Sequence, residues 1–164
     1  MNDRRSDALW QGVLAGLVGY GTVAVLAGVL DVTRGHSFFF TASLLGEHFF
    51  YGLTDPSQVT IWPGAVFAYN GLHLVTFLFV GLVAAWLALM SETGPEYWYV
   101  GVVMFLLIVL HAFGAMLFIT EDMRAVEPVW AIVVPTLAAW AAMAAYLLRM
   151  RPGLRQRLLH WEEE

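Results

Sequence analysis

Two imidazoles, His73 and His111, are the side chains of this sequence best suited to chemistry, because each interrupts a long apolar run. Three uses compete for them. As neutral rings they can hydrogen-bond to Tyr69, Asn70, each other or a backbone carbonyl and fix the register of neighbouring helices, a contact worth about 0.6 kcal/mol. In an apolar slot they can instead ligate a b-type haem iron, or one of them a chlorophyll-like magnesium, with Gly71 and Gly114 leaving room for a macrocycle. A third use joins His111 to Glu47, His48, Glu121 and Asp122 in an outer metal or proton site. That cluster rests on shared sidedness alone, since loop acids are ordinarily solvated, and no metal site is assigned.

The elements that must position these residues are apolar stretches at roughly 8–30, 63–89, 97–119 and 129–148. Each is long enough to cross a hydrocarbon core of ~30 Å at ~1.5 Å per residue. The expected fold is therefore all-α: a polytopic membrane protein of one domain, with four transmembrane helices in an up-down bundle. His73 lies ~25 Å and His111 ~20 Å from the turn joining the second and third spans, at similar depth in the outer half. Tyr69, Asn70, His73 and Phe77 share one helix face, and Met104, His111, Ala115 and Phe118 share another.

Composition agrees and excludes much else. The chain is 60% hydrophobic and 13% charged, well below the ~25% charge of a soluble domain. With no cysteine, disulfides, thiol nucleophiles, iron–sulfur clusters and thiolate zinc sites are removed. The net charge of -5 arises from acids in loops and tails, which gives no reason to expect a nucleic-acid partner. No phosphate loop, His-Glu-x-x-His pair or nucleophile elbow occurs, so no catalytic residue is assigned.

Arginine placement sets the expected orientation. Arg4 and Arg5 precede the first span and Arg149, Arg151, Arg155 and Arg157 follow the fourth, which puts both termini in the cytoplasm of a bacterial inner membrane. Trp10, Trp62, Trp86, Trp98 and Trp130 fall near span ends as interfacial anchors. The outer loop 31–62 contains a short interfacial helix, with Thr41 or Ser43 as its cap, Glu47 in a capping-box-like position, and Gly52, Asp55 and Pro56 as its stop. The tail 149–164 carries a second surface element over Leu154–Glu164.

Small residues mark the expected packing faces: Gly12, Gly16, Ala24 and Gly28 on the first span, and Ala138 and Ala142 on the fourth, where Pro135 favours a kink. The plan is superficially similar to that of small multidrug transporters. They carry a carboxylate inside the first span, and here no span contains Asp or Glu. The stretches Phe40-Thr41-Ala42-Ser43-Leu44-Leu45-Gly46 and Ala68-Tyr69-Asn70-Gly71-Leu72-His73 resemble a group of small four-span bacterial membrane proteins, which implies the same topology and no activity. The reading that follows is a non-catalytic accessory or scaffolding subunit of a larger membrane complex, respiratory or photosynthetic, with lipid and other subunits as partners. Its alternative is a small haem- or pigment-binding protein using His73 and His111.

Overall fold

The computed structural model describes residues 2–93, 102–104, 106–107, 109–110, 114, 120–153 and 156. The chain is all-α, with no strand among the described residues. Its elements are α1 (Asn2–Thr33), α2 (Phe40–Tyr51), a single 3-10 turn (Pro56–Gln58), α3 (Pro63–Thr93), α4 (Glu121–Val126) and α5 (Val129–Met150). Three stretches, Ser6–Thr33, Pro63–Ser91 and Val129–Met150, are long and apolar enough to cross a membrane. Of the expected span 97–119, residues 102–104, 106–107, 109–110 and 114 are helical. His111, Trp98 and most of the Leu154–Glu164 segment lie outside the described residues.

Helix α1 is the hub. It packs along both α3 and α5, whereas α3 and α5 barely touch each other. The seam between α1 and α3 is built from glycines at the expected positions. A Cβ at Gly12 would stand 2.8 Å from the Leu82 Cα, and one at Gly16 would stand 2.6 Å from the Phe77 carbonyl oxygen. Such distances leave no room for a side chain, so the two backbones meet directly, as small-residue motifs allow in apolar surroundings. Farther along α1 the ring of Phe38 fills the space over Gly28.

Three apolar clusters stack along the bundle. Ala15, Ala84, Ala85 and Leu147 form one. Val23, Phe77, Val80, Ala139, Trp140 and Met143 form the middle one. Phe40, Leu44, Leu45 and Met123 form the third, under α2 at the loop end. On α5 the fully buried line runs through Ala131, Pro135, Ala139, Met143 and Leu147, and Ala138 and Ala142 lie half-buried beside it. The opposite faces carry large exposed apolar side chains, among them Val25 on α1, Phe67 and Phe79 on α3, and Leu137 on α5.

Helix α2 departs from expectation at its cap. It starts at Phe40 with no side-chain bond from its N-cap residue, so neither Thr41 nor Ser43 caps it. The acceptor comes from the end of α1: Asp31 Oδ2 accepts from the Thr41 amide at 2.9 Å, and Asp31 Oδ1 accepts from the Thr41 hydroxyl at 2.7 Å. One free amide of the first turn is thereby satisfied by a residue ten positions upstream. The expected stop is present: Gly52 ends α2 in the left-handed region at φ 75°, and Asp55 caps the following turn.

Candidate functional site

The loop end of the bundle holds a polar knot of three buried carboxylates. Asp31 and Glu127 are each 1% exposed and Glu47 is 7% exposed. The expectation that loop acids are solvated is corrected for these three, because each has a partner that compensates its desolvation. Arg34 lies between two of them, with Nη2 donating to Asp31 Oδ1 at 2.8 Å and to Glu127 Oε2. Its guanidinium also stands 6.0 Å from the Trp130 ring centre. This arrangement ties the end of α1 to the α4–α5 connection, and through Asp31 to the start of α2.

The electrostatics follow from two carboxylates sharing one guanidinium. For Glu127, burial is the largest influence and pushes its pKa above the ordinary value; Arg34 opposes this and the nearby charge of Asp31 adds to it. For Arg34, burial works against the charge, but Glu127 and Asp31 together outweigh it and hold the pKa above its ordinary value. Glu47 makes a separate tie. Its Oε1 accepts from the Thr60 amide at 3.1 Å and the Thr60 hydroxyl at 3.2 Å, while the Ser43 hydroxyl donates to the Thr60 carbonyl at 2.8 Å. Ser43 and Glu47 therefore fasten the segment after the 3-10 turn onto α2.

The third expected use of the histidines finds no support in this arrangement. His48 Nδ1 bonds the Leu53 carbonyl at 2.8 Å, and Glu121 and Asp122 are exposed in the first turn of α4. No group of three or more His, Cys, Asp or Glu able to hold a metal ion forms among the described residues.

Below the knot the helices part around His73. Its ring packs between Tyr69, with centroids 4.5 Å apart, and Phe77, 5.9 Å away. Asn70 turns to another partner: its Oδ1 accepts from the Tyr20 hydroxyl of α1 at 3.1 Å, and its Nδ2 donates to the Val66 carbonyl at 2.8 Å. The polar tie between spans thus joins α1 to α3, and Tyr20 is the residue that sequence reasoning missed. A lone tyrosine hydroxyl in an apolar run carries no signal of its partner 50 positions away.

Beside Tyr69 and His73 lies a chamber of about 410 Å³, mainly apolar, walled by α1, α2, α3, α5 and the helical residues Leu110 and Gly114. A second cavity of about 270 Å³ reaches Ala24, Gly28, Asp31 and Asn70. Both are lined by Val23, Ala27, Thr41, Tyr69 and His73. The structure thus brings His73, Tyr69 and Gly114 to one space, while Gly71 is exposed away from it. An apolar chamber of this size can bury a small ligand; with His73 on its wall it also offers one imidazole to a macrocycle. No family model matches the chain, and no curated protein or solved structure is similar to it.

Proposed function

We propose that this chain is a four-span membrane protein of a bacterial inner membrane, with both termini cytoplasmic, that serves as a non-catalytic subunit of a larger membrane assembly. The observation carrying this reading is the use made of the buried charges at the loop end. Asp31, Arg34, Glu127 and Glu47 all bond to one another or to Thr41 and Thr60, and so join chain segments. Charged groups that take part in catalysis are aimed at a substrate, whereas these hold one end of a bundle closed. Long helices with large apolar side chains on their outer faces suit lipid and neighbouring subunits equally. An energy-transducing host, respiratory or photosynthetic, suits a chain rich in aromatic residues with histidine inside its spans.

The test is purification from the native membrane in mild detergent. A colourless chain that migrates with larger partners in fixed stoichiometry is the expected result. A chain that elutes alone after gentle extraction would overturn the reading. The chamber against His73 favours one competing function, a small b-type haem or chlorophyll-like pigment protein in which His73 and His111 are ligands. That function gives a Soret band that stays with the isolated chain and is bleached in His73→Leu.

A further inference from the structure

We propose that the chamber beside Tyr69 is a binding site for a lipid-soluble quinone-type molecule, with a flat uncharged carbonyl headgroup and an apolar tail. This goes beyond the subunit reading and does not depend on it. The volume, about 410 Å³, lies within the ~300–1,000 Å³ range of small-molecule sites. The second cavity shares five lining residues with the first, so the two spaces adjoin, with Tyr69 and His73 on the common wall. An elongated molecule can place its head against that wall and its tail beyond it.

The lining chemistry selects the headgroup. No Asp, Glu, Lys or Arg lines the larger chamber, which disfavours a charged ligand in an apolar enclosure. The rings of Tyr69 and His73, with Phe49 on the α2 side, present aromatic surfaces to a flat head. Most hydroxyls at the wall already donate: Thr41 to Asp31, Thr76 to the Leu72 carbonyl and Thr136 to the Ile132 carbonyl. The Tyr69 hydroxyl differs, since it has no hydrogen-bond partner among the described residues. Buried tyrosine hydroxyls ordinarily have a partner. One uncommitted O–H donor beside an apolar slot calls for a neutral acceptor, which a quinone carbonyl supplies and an alkyl chain lacks.

Binding of a decyl-substituted benzoquinone to the full-length chain in detergent tests this, read by quenching of tryptophan fluorescence and by calorimetry. Decylbenzene serves as the carbonyl-free control, and thermal unfolding confirms that each variant is folded. The expected result is saturable binding of the quinone, weakened roughly fivefold in Tyr69→Phe and lost in the chamber-filling Ala27→Leu, with decylbenzene bound more weakly than the quinone. If Tyr69→Phe binds the quinone as the parent does and decylbenzene competes equally, the carbonyl-reading site is overturned and the space is a lipid-tail pocket. Absence of saturable quinone binding to the folded parent chain overturns it outright. Co-migrating subunits would bear on the earlier reading without altering any of these outcomes.

Discussion

The two ends of α1 are held by opposite means. Its N-terminal half meets α3 backbone to backbone at Gly12 and Gly16. Its C-terminal end is fixed by Asp31 and Arg34, charged groups tied to Thr41 and Glu127. The difference reflects what each end must satisfy. In mid-helix every amide already has an intrahelical partner, so only shape is needed, and small residues supply it. At the loop end the chain leaves one helix and enters another, exposing amides and carbonyls that need partners out of reach of water. Asp31 answers the α2 start, Arg34 compensates Asp31, and Glu127 extends the tie to α5.

The largest expected effect comes from removing the cation of that end. Arg34→Met leaves Asp31 and Glu127 buried side by side without compensation, which costs about 3–5 kcal/mol in comparable buried pairs. Denaturation in detergent should show a large loss of stability, with Asp31→Asn partly restoring it in the double variant. An Arg34→Met chain as stable as the parent would mean that the knot is decorative and that packing alone holds both ends. Gly16→Ala probes the other end and is expected to cost about 1–3 kcal/mol, because the added methyl meets backbone that cannot move aside. The size of this loss should not change with salt or pH, in contrast to that of Arg34→Met.

How each end was legible in the sequence follows the same divide. Small-residue spacing within one helix is a local pattern, so the contact faces at Gly12, Gly16 and Gly28 could be read from residues four positions apart, Gly12 with Gly16 and Ala24 with Gly28. Helix length and apolar content likewise announced four crossing segments, three of which are long apolar helices among the described residues. The knot could not be read in this way. Arg34 and Glu127 are separated by 93 positions, and Asp31 caps a helix from ten positions upstream, outside the short window that a capping box uses. Glu47 looked like a cap residue because its distance from Ser43 suits one; in the structure it holds Thr60 instead. Tyr69 and His73 were legible as neighbours on one face, but the chamber beside them depends on how α2 and α5 are spaced.

A smaller effect sharpens the electrostatic half of the comparison. With its pKa raised above the ordinary 4.5, Glu127 holds in the folded chain a proton that the unfolded chain has already released. Stability should therefore fall as pH rises through the window from 4.5 up to the raised value, because the unfolded state gains the ionised form more readily. In Glu127→Gln this slope should flatten, while in Gly16→Ala it should persist on a lower baseline. Melting temperatures from pH 4 to pH 8 check both, and an unchanged slope in Glu127→Gln would assign the proton to another group.

The smallest effect on the chain itself separates internal packing from docking. Ala139 is fully buried on α5, whereas Ala138 and Ala142 lie half-buried at its side. Ala138→Leu therefore meets space beside the core line, and its expected cost is within about 0.5 kcal/mol, as for other substitutions away from tight contacts. If the half-buried alanines serve only this chain, nothing else changes. As a subunit of a larger assembly, the chain can use the same small residues for a neighbouring helix, since close approach is what they permit. The variant would then keep the melting temperature of the parent and lose the partners that co-migrate with it in mild detergent. Retention of those partners at full stoichiometry would move the docking face to another part of the surface, with the exposed line of Phe67 and Phe79 on α3 the next to be changed.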